Sequence, residues 1–499
     1  MGIATALAAC PASLDDRCAD GACLPGGNTG DGGLDGADAN APDAVAPDDC
    51  DENADASAPE AKGCVVDSFA LFVDGASGAE NNDGSKAKPL KSISAAVAKV
   101  GATGKRRIYI CGEGPYVEHV KLTTAVHLFG GFACGAWTHD GSIKAKVAPS
   151  DKGFALHVDG VSAPIAVSDL AFRSADVASA KDGSDSIAAF INGSDVTFRR
   201  VDLAAGAPAD GTTGDTGGAG VITDVTGGGA KTAQGYPASG GTGGLPKTCT
   251  CSSSTQTTTG GVGGTNTGAG NPGSPSYSAN PPNGAGGAGA TSCGGGGSGG
   301  DGANAPPAEN AAAATAVGSV GPEGWRGATG LDAVEGGKPG QGGGGGGSLA
   351  VGDGAGGGGC GGCGGFPGKA GGSGGSSIAL LVHESTVTLA ASALSAKSGA
   401  KGGAGGPGGG GLNGGTAGSG ACTGGSGGRG ADGGAGSGGA GGLSIGLLHK
   451  GTAPKLDAAT TAAITVENPG TKGTGGKPDV NDGPTGVAAK LQDAATLPQ

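Results

Sequence analysis

Aromatic side chains are nearly missing from this chain: Phe, Trp and Tyr make up 3% of its 499 residues, and there is one Met. So few large rings exclude a conventional core running the whole length. Basic residues are also few. Lys and Arg number 30 against 44 Asp and Glu, a formal charge of −14. There is no basic patch or basic, aromatic-bearing stripe, which excludes nucleic acid as an expected partner. No apolar run is long enough to span a bilayer. The Gly-rich stretches lack a strict G-X-Y period and hold little Pro, which excludes collagen.

What is abundant is glycine, 118 residues of it, unevenly placed. Residues 206–442 hold 86, more than a third of that stretch. Such a segment has few side chains to bury and loses much backbone entropy on folding. Two readings stay open for it: long loops without fixed structure, or packed extended polyglycine-type helices whose backbones approach closely. The negative charge is local as well. Residues 11–63 carry 13 acidic side chains against Arg17 and Lys62, the composition of a disordered, self-repelling tether.

Thirteen cysteines imply an oxidising compartment. The run Leu7-Ala8-Ala9-Cys10 resembles the lipobox of bacterial lipoproteins, which implies lipidation of Cys10 and a membrane partner reached through that anchor. Pro11 in the next position implies the outer membrane and the cell surface. The segment before Cys10 carries no Lys or Arg and is short for a signal peptide, so either translation starts further upstream or the match is accidental. With Cys10 lipidated, twelve cysteines remain for pairing.

A repeat organises the rest. Ile165, Val167, Leu170 and Phe172 recur as Val196, Phe198, Val201 and Leu203, 31 residues on. They recur again as Val387, Leu389, Ser392 and Leu394, a further 191 residues on. Alternation, a skip of two and renewed alternation describe two short strands joined by a bend, with one face inward throughout. Stacked copies make a solenoid. The expected class is therefore all-β: a right-handed parallel β-helix with long glycine-rich insertions and a disordered N-terminal tether.

The expected division is a signal remnant at 1–10, an acidic linker at 11–63, and a β-helix cap and coils at 64–205. A glycine-rich insertion follows at 206–375, a coil at 376–398, a second insertion at 399–442, and C-terminal coils and tail at 443–499.

Upstream of the repeat, Phe72-Val73-Asp74-Gly75, Pro89-Leu90 and Ile93–Val97 precede Ile108-Tyr109-Ile110-Cys111-Gly112, Tyr116 and Val126–Gly131. This order resembles the entry of right-handed parallel β-helix proteins of the pectate-lyase-like superfamily, over about 64–205, 376–398 and 443–470. Together with the lipobox and tether, the chain looks like β-helix lipoproteins of myxobacteria. Its glycine-rich part is similar, by composition only, to the PGRS segments of mycobacteria. One β-helix coil is close to the 23 residues separating Cys111 from Cys134, which implies a disulfide between adjacent rungs.

Enzymes on this fold line an outward face with converging carboxylates or basic groups. Reading across the repeat, His157 aligns with Ala188 and Ala379, and Asp169 with Arg200 and Ala391. No such row collects two carboxylates. His157 reads as a solvated strand residue and Asp169–Arg200 as a rim ion pair. Glu113, Glu118, His119 and Lys121 lie in unaligned coils. Cys360-Gly361-Gly362-Cys363 reads as structural bridging. GGSGGD at 296–301 and GGRGAD at 427–432 lack the tandem context of calcium-binding β-rolls. No catalytic residue, metal ligand or cofactor is therefore expected. The expected function is a structural or adhesive surface lipoprotein meeting extracellular glycan or matrix. The alternative is a carbohydrate-active enzyme, either polysaccharide lyase or hydrolase. Oligomeric state is not legible.

Overall fold

The computed structural model describes residues 46–499 apart from 52–53, 56, 228–230, 254–255 and 278–282. Cys10, the residues expected to form the signal remnant and most of the acidic linker lie outside the described residues.

Three parallel sheets carry the apolar repeat. The six-stranded sheet contains Leu156–Asp159, Ser186–Asn192, Ser377–His383 and Ser444–Lys450. The seven-stranded sheet contains Ile165–Ser168, Asp195–Arg199, Thr386–Ala390 and Lys455–Leu456. The five-stranded sheet contains Leu170–Arg173, Asp202–Ala204, Ala393–Ala396 and Ile464–Val466. The chain visits them in that order five times, first through Val120–Leu122, His127–Phe132 and Ala145–Val147, and neighbouring visits pair in parallel. Val196 sits beside Ile165 and Val387, and Leu203 beside Phe172 and Leu394.

The skip of two residues is a sharp corner. Asp169, Arg200 and Ala391 occupy equivalent places with φ of 55°, 55° and 49°. One residue in the left-handed region turns the chain while the inward face continues from Val167 to Leu170. Inward rows of Val, Leu, Ile and Phe form the largest buried cluster. Each such side chain contributes about 1.5–3 kcal/mol when fully buried.

The gap-free alignment fails in one place. His157 pairs with Phe190, not Ala188, and Phe190 with Leu381. The turn from Asp159 to Ile165 is two residues longer than that from Asn192 to Val196. A slip of two keeps every side chain on its own face, so His157 still points outward.

The first strands are Ala70–Asp74 and Arg107–Cys111, followed by Val120–Leu122, His127–Phe132 and Ala145–Val147. Helix Ile93–Thr103 lies among them. Ser92 caps it by accepting from Ala95 N–H, and Gly104 ends it at φ 65°. It buries Ile93, Ala96 and Val100 against the main core.

The described residues among 46–63, expected to belong to the tether, include several packed ones such as Ala61. Cys50 is bonded to Cys64, and Arg107 donates to the Ala54 carbonyl at 3.4 Å. A disulfide and polar contacts to the seven-stranded sheet give this segment the anchorage its composition lacks.

The glycine-rich runs take neither strand nor helix form over most of their length, yet their amides are paired in register. Gly359, Gly362, Gly365, Gly368, Gly371 and Gly374 donate to Gly425, Gly428, Ala431, Gly434, Ser437 and Ala440. Every third residue faces the same neighbour, the periodicity of the left-handed polyproline II helix.

The run 424–442 shows how complete the pairing is. One face donates to residues 418 back to 400, in steps of three. A second donates to Gly344, Gln341, Lys338 and Glu335. On the third, Ser426, Arg429 and Ala435 donate to the side chains of Asp301, Asn304 and Asn310. Its glycines keep φ out of the left-handed region. They are needed for closeness: a Cβ at Gly427 would strike the Cys360 carbonyl, and one at Gly425 the Gly300 carbonyl.

These runs continue the sheets. Gly374 donates to Ala440 and Ser377 to Leu443, after which Ser377 pairs with Ser444 in the six-stranded sheet. Likewise Ala205 donates to Ser395, and then Gly211 to Lys401 and Gly214 to Ala404. Each excursion therefore leaves from the five-stranded sheet and returns into the six-stranded one.

Candidate functional site

The cysteines singled out by the sequence act as clips. Cys111, at the end of its strand, and Cys134, just past His127–Phe132, are bonded with Cα atoms 5.0 Å apart. Cys360 and Cys363 are bonded to Cys249 and Cys251. Strand Lys247–Cys251 shows one side chain in two on a face, while the glycine run shows one in three. C-x-C opposite C-x-x-C is the spacing that lets the two lattices be joined twice. Cys293–Cys422 ties two further glycine-rich runs. Among the described residues, three potential metal-ligand atoms come within 4.8 Å of one another only at Asp74, Cys111 and Cys134. The two sulfurs there are bonded to each other.

Of the charged groups of the unaligned coils, those of Glu118, His119 and Lys121 are engaged with neighbours. Glu118 accepts from Ile93 N–H, Ser94 N–H and the Ser94 hydroxyl at the start of the helix, where a carboxylate suits the helix dipole. His119 faces Asp151 at 3.0 Å and the Phe154 carbonyl at 2.8 Å. The Glu113 carbonyl accepts from Lys146 N–H. Lys121 lies 3.4 Å from Asp159, which accepts from Asn192 at 2.9 Å. Asn192 in turn accepts from His383 at 2.8 Å. The Asn192 bond, then His157 and Lys121, hold Asp159 below the usual carboxylate range.

Asp169 and Arg200 form a bidentate pair at 2.7 and 2.8 Å, with His139 at 3.1 Å from the same carboxylate. The sequence read them as a rim pair, but the Asp169 side chain is only 2% exposed. It also missed His139 and a further carboxylate, Asp55. Asp55 meets Arg200 at 2.7 Å and accepts from Ser168 at 3.2 Å. Against the upward push of burial, the Ser57 hydroxyl and amide and then Arg200 bring Asp55 down to about 2. Nothing local in the acidic segment marks Asp55 out, because its partner lies 145 residues away.

The two calcium-like motifs spend their carboxylates on the backbone lattice. Asp301 accepts from Ser426 N–H at 2.7 Å, and Asp432 from Gly411 N–H at 2.9 Å.

A cleft lies on the outward face of the six-stranded sheet. There Ile187, Phe190, Ile378, Leu381, Ile445 and Leu448 form an apolar band. An antiparallel hairpin, Gly318–Gly321 with Gly324–Gly327, covers it and lays Val320 and Trp325 against it. Beside the hairpin a cleft of about 250 Å³ is lined by Lys152, Gly153, Phe154, Ser184, Asp185, Ile187 and Trp325.

Phe154 lies 5.1 Å from Phe190 and 5.3 Å from His157, ring centre to ring centre, and His157 stacks on Phe190 at 16°. His157 is therefore half-buried between rings and less solvated than the sequence suggested, and burial pushes it below the usual histidine range. Its Nε2 and the Trp325 Nε1 are enclosed without a hydrogen-bond partner among the described residues. Asp185 accepts from Ser376 N–H at 2.6 Å, and burial pushes its carboxyl up to about 7. The Lys152 ammonium lies 3.6 Å from Asp182.

Trp325 is one of four aromatic residues in 206–375, with Tyr236, Tyr277 and Phe366. That scarcity was the available signal for a site there. No protein-family model, no curated protein and no solved structure matches this chain.

Proposed function

We propose that this is a cell-surface structural or binding lipoprotein. In this reading, a right-handed parallel β-helix of the pectate-lyase-like kind carries glycine-rich insertions and is anchored in the outer membrane through a lipid on Cys10. Its partners are extracellular glycan or matrix, and it catalyses no reaction. Among the described residues no helix is long and apolar enough to cross a bilayer, which leaves the membrane contact to the proposed anchor.

The observation that carries the reading is the glycine lattice. A run paired on three faces by its own backbone, as 424–442 is, presents few side chains for chemistry and contributes shape. Among the described residues, five disulfides fasten that shape and its N-terminal approach, which suits an exposed setting. The outward charged groups are largely committed to one another, as in Lys121–Asp159–Asn192–His383. A glycoside hydrolase would need a second carboxyl beside Asp185, and Asp185 is the single carboxyl of the cleft lining.

Two measurements test this. Purified full-length chain on a glycan array should bind a restricted set of glycans; cleavage of an oligosaccharide in place of binding would favour the enzyme. Cells fed an alkyne fatty acid should label the wild type and not Cys10→Ser. An unlabelled wild type, expressed with its full upstream reading frame, refutes the anchor.

A further inference from the structure

We infer that the cleft beside Trp325 is a binding site for a small organic ammonium group, such as a quaternary or alkylated amine. The inference rests on the binding reading above and names the ligand class of its cleft.

The walls are aromatic: Phe154 is backed by His157 and Phe190, and Trp325 stands on the hairpin. The faces of such rings carry negative potential and attract cations. A carboxyl, Asp185, lies in the same lining. Its hydrogen-bond partners are the Ser376 amide and hydroxyl, neither of which is a cation. Lys152, the one basic residue of the lining, is 68% exposed and paired with Asp182.

Burying a carboxylate without a counter-charge is costly, and an arriving cation offsets that cost where a neutral ligand does not. A sugar ring would also stack on these walls, but it would leave Asp185 uncompensated. The raised pKa of Asp185 agrees with this vacancy of positive charge. The volume, about 250 Å³, lies below the ~300–1,000 Å³ of pockets for drug-sized ligands, so the site takes a headgroup and not a chain of sugars.

Affinity should depend on pH. Only the ionised Asp185 binds a cation strongly, and the binding-competent fraction of a group titrating near 7 rises about tenfold from pH 6 to pH 8. The other charged or titratable groups around the cleft include Lys152, Asp182, His157, Glu323 and the His119–Asp151 pair that holds the Phe154 carbonyl. Ser184 holds Asp182 below the usual carboxylate range, so it stays ionised across this window. Burial pushes His157 below the usual histidine range.

The test is calorimetric titration of the purified full-length chain with choline, with its neutral isostere 3,3-dimethylbutan-1-ol, and with glucose. Choline should bind one to one, at least tenfold more tightly than the isostere, and about tenfold more tightly at pH 8 than at pH 6. Asp185→Asn should abolish the preference for choline over the isostere. Should that variant fold poorly, Phe154→Leu serves instead: it should weaken choline several-fold more than it weakens the isostere. Equal affinity for choline and isostere overturns the inference, as does heat from none of the three. Glucose binding without choline binding overturns it too, while leaving the glycan-binding reading standing.

Discussion

His127 shows how single side chains are committed in this molecule. It lies in the outer row of the seven-stranded sheet beside Arg107, and its Nδ1 accepts from Ala166 N–H at 3.0 Å. That bond requires an unprotonated nitrogen. Burial first, then Arg107 and Arg106, push its pKa down to about 4. A histidine depressed in the folded state stabilises fully above its unfolded value near 6.5, and that contribution is lost as pH falls through 4. The wild type should therefore lose roughly 3 kcal/mol from this residue between neutral pH and pH 4. His127→Phe keeps a ring beside Phe129 and cannot titrate. Its Tm, scanned from pH 7 to 4, should fall less steeply than that of the wild type; parallel curves would show that His127 is not buried as a neutral base.

At the level of elements, the glycine runs make an unusual demand on composition. Gly362 packs so that a Cβ would strike the Leu412 carbonyl, whereas at Gly410 the nearest atom is Asp432 Oδ1 at 4.0 Å. Gly362→Ala should cost about 1–3 kcal/mol, since backbone and not a flexible side chain has to move. Gly410→Ala should be neutral or stabilise by about 0.4–1 kcal/mol, by restricting the unfolded chain. Urea denaturation of the two variants reads the contrast.

The strands were legible because their alternation is local: the offsets of 31 and 191 seen in the apolar pattern are the registers of Val196 against Ile165 and Val387. The placement of His157 was not, because turn length is free to vary between rungs. Whether the glycine runs were ordered was not legible either. Their pairing is set by backbone amides, which are the same in every residue, and by partners as distant as Gly211 and Lys401. The cleft escaped because its walls come from residues 152–154, 184–187 and 325, with no shared pattern.

For the molecule as a whole, the sheets and the glycine lattice are joined but should be separable. The Ser377 hydroxyl donates to the Gly206 carbonyl at 3.0 Å, so the ends of the segment 207–375 already meet. A deletion variant lacking 207–375 should keep its parallel sheets and its β-type circular dichroism. It should also open 399–442 to proteolysis, because Ala400, Gly403 and Gly406 lose their acceptors Gly375, Gly372 and Lys369. Loss of the β signal would show that the sheets depend on the lattice.

The threefold amide pairing also sets what solution spectroscopy will report. Polyproline II backbone has no internal hydrogen bonds and is a major conformer of unfolded chains, so circular dichroism of the intact protein should register much of 206–442 as random coil. Hydrogen–deuterium exchange should say the opposite. The amides of 424–442 are held on two faces by other backbones and on the third by side chains such as Asp301, Asn304 and Asn310, and they should exchange far more slowly than those of an unfolded chain. A protein that looks half unfolded to one method and almost fully protected to the other is what this lattice requires; fast exchange across 424–442 would mean that the glycine runs do not hold together in solution.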